Sequence, residues 1–174
     1  MGVLTDAIEY VLPRPTAFHR AVWKATSSSP GAWAFAKTAH HIDRYLLRVS
    51  KGKLSAPGVF AGLPPVLVTM TGARSGLRRT VPLIGIPVDG DIALIGTRFG
   101  QPGTPAWYFN LKKTPQVEVE FGGRRAAAVA REVEAGPERD AIWARGCEVY
   151  AGYAAYARRI RDREIHVMVL SAPS

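Results

Sequence analysis

Apolar residues between positions 31 and 49 return at helical spacing. Phe35, Ala39, Ile42, Leu46 and Val49 fall on one stripe, and Lys37, His41, Arg44 and Arg48 on the opposite one. That is the pattern of a helix packed on one face and solvated on the other. From Val66 the rhythm changes. Residues 66–70, 81–88, 92–97, 116–121, 125–134 and 165–170 are rich in β-branched and apolar side chains and read as strands. Val117-Glu118-Val119-Glu120-Phe121 alternates as a half-exposed antiparallel strand does. Asp89-Gly90-Asp91 and Gly122-Gly123 have the chemistry of hairpin turns, and Gly85 and Pro87 mark a bulge or a sheet edge.

Two helices interrupt the strands. Thr104 can cap a short one, with Pro105 at its first position and Pro115 beyond its end. Gly136-Pro137 opens another that runs to about Tyr150 and carries Trp143, Cys147 and Tyr150 on one face. Consecutive hairpins with few intervening helices argue against a parallel doubly wound sheet. They predict an α+β fold: a small antiparallel barrel of about six strands with flanking helices.

The first 50 residues read as a helical arm. Residues 3–12 are weakly amphipathic and are stopped by Pro13 and Pro15, residues 17–24 form another turn or two, and Phe18, Val22 and Trp23 need apolar cover. The core, a partner subunit or the membrane interface would each supply it. Residues 51–65, rich in Gly, Pro and Ser, separate this arm from a barrel domain over 51–174, the whole forming one domain.

Composition narrows the chemistry. With 174 residues and 47% hydrophobic content, the chain can bury a sizeable core. A net charge of +9 favours an anionic partner. The single cysteine, Cys147, excludes an intrachain disulfide framework and a multi-cysteine zinc site. No apolar run is long enough to span a bilayer and no signal peptide is evident, so a cytoplasmic location is expected. His19, His40, His41 and His166 make no metal pattern, so no metal is expected, and Ser75 has no visible His-Asp partner.

The positive charge concentrates after the first strand. Thr71-Gly72-Ala73-Arg74-Ser75-Gly76-Leu77-Arg78-Arg79-Thr80 puts two glycines and three arginines on one turn. Turn amides can form an anion-binding nest, and guanidinium groups suit phosphate or carboxylate. A solvated basic hairpin is the other reading. Arg98 ends a later strand, and the helix start at Pro105 offers free amides nearby. There is no Gly-Lys-Ser/Thr ending and no Gly-x-Gly-x-x-Gly, so neither a P-loop nor a Rossmann site is supported.

These stretches, with Pro105-Ala106-Trp107-Tyr108-Phe109-Asn110-Leu111 and Tyr150-Ala151-Gly152-Tyr153-Ala154-Ala155-Tyr156, resemble the signature of the deazaflavin-dependent nitroreductase family in order and spacing. The resemblance implies a split β-barrel related to the FMN-binding, pyridoxamine-phosphate-oxidase-like fold. It implies coenzyme F420, an 8-hydroxy-5-deazaflavin with a phosphodiester and an oligoglutamate tail, as hydride carrier, with FMN the less favoured cofactor. By resemblance, Arg74, Ser75 and Arg79 match positions that hold the phosphate and tail, with Gly76 and Arg78 on the same turn. Thr97, Arg98, Phe99 and Gly100 match the loop along the deazaflavin, and Pro105, Ala106 and Trp107 the helix start that lines it. Two departures stand in the turn: Ala73 where many relatives carry a second basic residue, and Arg78 where proline is common.

Tyr150, Tyr153 and Tyr156 match the region that closes over the substrate, where a phenol can bond a carbonyl or nitro oxygen and stack on a ring. Aromatic packing between helix and barrel is their other reading. The implied activity is hydride transfer from reduced coenzyme to a quinone, an enone or a nitroaromatic. A carrier that binds flavin, deazaflavin or haem without turnover is the first rival, and a basic nucleic-acid-binding barrel the second. The aromatics lie away from the arginine turn in sequence, so no nucleic-acid partner is expected. A homodimer is compatible with all of this.

Overall fold

The computed structural model describes residues 4–12, 63–160 and 164–173. The helix expected over residues 31–49 and the loop over 51–62 lie outside the described residues, as do Phe18, Val22 and Trp23. In chain order the elements are α1 (Leu4–Ala7), β1 (Val66–Thr71), β2 (Arg78–Leu83), β3 (Ile86–Val88), β4 (Asp91–Ile95), a 3-10 turn (Arg98–Gly100), α2 (Ala106–Lys113), β5 (Gln116–Phe121), β6 (Arg124–Val133), α3 (Pro137–Val149), α4 (Gly152–Ala157) and β7 (Val167–Ser171).

The seven strands form one sheet in the order β2-β1-β5-β6-β7-β4-β3, antiparallel throughout. β2 and β3 are therefore opposite edges, yet only Ile84 and Gly85 separate them in the chain. A flat sheet of this width would hold its edges about 29 Å apart. The link from Leu83 to Ile86 reaches about 11 Å at most. The sheet must curl until its edges face each other, which makes a barrel split at one seam. Both edge strands carry a proline, Pro82 in β2 and Pro87 in β3. Proline lacks the amide that would extend a ladder, so the seam stays open.

The strand expected over residues 81–88 is thus two strands on opposite edges, and the barrel has seven strands rather than six. Other differences are smaller. α1 is a single turn, and Glu9 at φ 50 follows it. Leu4, Ile8 and Tyr10 are buried in the barrel interior with Val66, Val68 and Met70. The amide and hydroxyl of Thr5 both donate to the Gly90 carbonyl, and the Tyr10 hydroxyl donates to the Gly85 carbonyl at 2.9 Å. Both hairpin turns adopt positive φ at two successive residues, Asp89 and Gly90, then Gly122 and Gly123, as the tight hairpin twist requires.

β4 and β7 are buried on both faces, which explains their unbroken apolar runs. Ile92, Leu94, Met168 and Leu170 fill the interior. Ala93, Ile95, Val167 and Val169 pack outward against Ile142 and the three tyrosines of the α3–α4 layer.

Candidate functional site

A cavity of about 470 Å³ opens at the seam. Val81, Pro82, Leu83 and Ile84 form one wall and Leu94 and Ile95 another. Thr97 and Arg98, then Pro105, Ala106 and Trp107, form the rim, and Tyr150, Tyr153 and Tyr156 close the far side. The volume suits an organic ring system, and most of the lining is apolar. Eight sequence-predicted site residues meet here. The Val81–Ile84 wall and Leu94–Ile95 were not among the expected residues, because closure of the sheet is not a local property of the chain.

The rim begins α2. Pro105 is its N-cap, with φ −60 and ψ 140, and Thr104 makes no capping bond; the helix starts one residue later than the sequence suggests. Pro105 holds the extended backbone that feeds the first turn, and that turn points its amide end toward the cavity wall. Trp107 is half-buried and packs on the interior core. Arg98 has φ 47, and its guanidinium donates to the Pro102 carbonyl at 2.6 Å. Gly100 belongs to the same turn, and its amide donates to the Thr97 carbonyl at 2.9 Å; it does not line the cavity. The Phe99 side chain lies outside the described set.

The tyrosines are not on one continuous helix. Tyr150 ends α3 in an extended conformation (φ −144, ψ 101), and α4 carries the other two. All three rings are buried, at 5%, 4% and 2% exposure for Tyr150, Tyr153 and Tyr156. The Tyr150 and Tyr156 hydroxyls are hydrogen-bonded at 2.8 Å. Tyr153 meets the Tyr150 ring edge-on at 5.5 Å, and its hydroxyl has no hydrogen-bond partner among the described residues. Burial pushes the phenols of Tyr153 and Tyr156 far above the ordinary tyrosine range, with the neighbouring hydroxyls adding to it. A buried donor without a partner costs free energy unless a ligand satisfies it.

Arg74, Ser75, Gly76, Arg78 and Arg79 do not line the cavity. Arg74, Ser75 and Gly76 sit on the exposed β1–β2 turn, and Arg78 and Arg79 begin β2, the strand that supplies Val81 and Leu83. Arg79 pairs in register with Met70, as Val81 does with Val68, so Arg79 shares the interior-facing side of β2 with Val81. Its guanidinium donates to the Ser75 hydroxyl at 3.3 Å. Gly76 takes φ 68 and its amide donates to the Gly72 carbonyl, closing the turn.

Elsewhere on the described surface, several basic side chains are neutralised by a neighbouring carboxylate. Arg124 pairs with Glu9, Arg125 with Glu120, Arg131 with Glu138 and Arg145 with Glu148. Among the described residues, no carboxylate pairs with Arg74, Arg78, Arg79 or Arg98. The cavity and its flank thus combine apolar walls with uncompensated positive charge, which fits a flat ring bearing an anionic tail.

One positioning residue was missed. Asn110, on α2, is 9% exposed, and its side-chain oxygen accepts the Ala73 amide at 2.8 Å. A polar residue within a helical run gives no sequence signal of a contact made 37 positions away.

A family model for F420H(2)-dependent quinone reductases matches residues 41–172. The chain belongs to that family. Membership makes it a deazaflavin-dependent oxidoreductase with coenzyme F420 as its cofactor. It is 37% identical over 114 residues to an F420H(2)-dependent quinone reductase of Mycobacterium tuberculosis, covering 63% of this chain and 75% of that protein. Among solved structures, an F420-H2 dependent reductase (FDR-A) is 40% identical with a TM-score of 0.55, over 61% of this chain and 92% of the other. A chain solved as a domain-swapped dimer is 34% identical with a TM-score of 0.56, over 82% of this chain and all of the other.

Proposed function

We propose that the cavity at the barrel seam holds the deazaflavin ring and its acceptor, a quinone foremost and an enone or nitroaromatic by the same chemistry, while the β1–β2 turn holds the anionic tail. The observation that carries this reading is an apolar cavity continuous along β2 with a basic turn and strand start whose arginines have no carboxylate partners among the described residues. When bound in reduced form, coenzyme F420 supplies a hydride to the acceptor.

The chain's own work is placement. Val81, Leu83, Leu94 and Trp107 offer apolar surface for a flat ring and keep water from its faces. Thr97 and the first turn of α2 present polar groups to its edge. Arg98 lends positive charge at the rim, and Arg74 and Arg79 hold phosphate and carboxylates; the amides of Gly72, Ala73, Gly76 and Leu77 are spent on bonds within the protein and shape the turn instead. Tyr153 donates its free hydroxyl to an acceptor oxygen. Its phenol is too weak an acid to surrender a proton readily, so it stabilises developing negative charge while solvent at the mouth completes protonation. Tyr150 and Tyr156 keep that ring in place. Replacement of the bound electrophile leaves the same residues in use, which is why several acceptor classes fit.

A homodimer belongs to this reading, supported by the domain-swapped relative. So does a cytoplasmic location: among the described residues no helix is long and apolar enough to cross a membrane. Contact of the N-terminal arm with membrane rests on residues outside the described set. The test of function is direct. Reduced coenzyme and a menadione-type quinone are mixed with pure protein and the return of oxidised coenzyme is followed. Turnover supports the proposal; coenzyme binding without reduction of any acceptor favours a carrier instead.

A further inference from the structure

The backbone of Ala73 is held by α2 at both its amide and its carbonyl. Its amide donates to Asn110 at 2.8 Å, and its carbonyl accepts the Lys113 ammonium at 2.7 Å. Asn110 and Lys113 lie one helical turn apart, so they reach the same side of the helix. The other end of α2, about 12 Å away along the axis, is the cavity rim. The helix is therefore a rigid strut between the ring site and the basic turn.

The strut has an electrostatic difficulty. A helix C-terminus carries partial negative charge, here beside a turn proposed to bind an anion. Lys113 stands at that end, and among the described residues it has no carboxylate partner. One of its N–H groups is spent on Ala73, and two remain. We propose that Lys113 is a further binding residue for the anionic tail, fixed by the Ala73 carbonyl, and that Asn110 is the positioning residue that keeps the turn in reach of it. Arg74, Arg78, Arg79 and Lys113 then form one cationic cluster, one member on the turn, two at the start of β2 and one on the helix. The inference rests on the proposed seat of the tail and goes beyond it by assigning α2 a share of that seat.

The test compares two ligands: coenzyme F420 with its phosphodiester and glutamates, and the deazaflavin riboside that lacks both. Affinities of the wild-type chain, Lys113→Gln, Lys113→Arg and Asn110→Ser are measured by fluorescence titration at low and high salt, with thermal melts to confirm folding. Lys113 is exposed, so its variants keep the fold. The expected result is about fivefold weaker binding of the full coenzyme to Lys113→Gln at low salt, fading as salt rises. Riboside affinity stays unchanged, and Lys113→Arg recovers most of the loss. Asn110→Ser loses affinity for the tailed coenzyme and keeps that for the riboside.

Equal binding of the coenzyme by wild type and Lys113→Gln overturns the inference while leaving the cavity assignment intact. So does a parallel loss of both ligands, which marks a purely structural role. Wild-type protein that binds riboside and coenzyme equally overturns the tail seat, and wild-type protein that binds neither overturns the proposed function itself.

Discussion

The Tyr150 hydroxyl lies 2.8 Å from that of Tyr156, and both rings are buried against the cavity. The two phenols bond each other across a break between helices, and Tyr153, between them in sequence, keeps its hydroxyl available. Spacing alone makes the three residues equivalent. On the proposed function, two of them are scaffold and one a donor.

Replacing Tyr153 with Phe tests that division. The ring and its packing remain, so thermal stability should stay within about 1 kcal/mol of wild type, or rise, because a buried donor with no partner among the described residues is removed. Quinone turnover should fall by roughly tenfold to a hundredfold, as expected for loss of one donor to developing charge. Coenzyme affinity should not move. Steady-state kinetics with a coenzyme titration separates these outcomes, and unchanged kcat/KM would remove Tyr153 from the mechanism.

The Tyr150–Tyr156 bond should behave as a coupled pair. Each single Phe variant should lose about 1 kcal/mol, and the double variant less than the sum of both. Denaturant unfolding of the four proteins measures the coupling directly. Strict additivity would show that the two hydroxyls do not depend on each other.

Gly152 is where this arrangement leaves no space. A Cβ there would stand 2.4 Å from the Tyr150 ring, and a rigid ring cannot yield as a flexible chain end does. Gly152→Ala should cost about 1–3 kcal/mol by overpacking and lower quinone turnover by shifting Tyr150. A melting curve and an activity assay suffice.

Much of the barrel was legible because its signals are local. The Val117–Phe121 alternation gives β5, and the glycine-bearing turns give the hairpins. Residues 81–88 read as one strand because their apolar run is nearly unbroken; Gly85 and Pro87 marked an edge, but not that Ile84 and Gly85 carry the chain from one sheet edge to the other. The site followed the same rule. Trp107 and the tyrosines were readable as aromatics near motifs, whereas Asn110 and the Val81–Ile84 wall acquire roles only when the sheet closes. Arginine count identified the basic turn; that its charges lack carboxylate partners is a property of the folded surface.

A polar cluster between α2, β6 and His166 should contribute to the acid limb of stability. Glu132 accepts from Tyr108 at 2.7 Å and from Lys112 at 2.9 Å, and meets the His166 ring at 3.1 Å. Burial alone would raise the Glu132 carboxyl, but the bonds from Tyr108, Lys112 and His166 outweigh it and hold the group below the ordinary glutamate range. A depressed carboxyl contributes stability above its unfolded value, near 4.3, and loses it as pH falls through the folded value. Wild-type protein should therefore weaken below about pH 4.3, and Glu132→Gln should show a shallower acid slope with lower stability at neutral pH. Melting temperature against pH for the two proteins checks the sign.

On the proposed function, seam and turn together seat a ring with a polyanionic tail. Dissociation constants for coenzyme F420 and for FMN, measured side by side on wild type and on Arg74→Ala/Arg79→Ala, test it most directly. The account predicts that wild type binds the deazaflavin coenzyme at least about tenfold more tightly than FMN, and that the double variant loses most of that preference. Equal or tighter binding of FMN, or a double variant that keeps full affinity for the coenzyme, would contradict it.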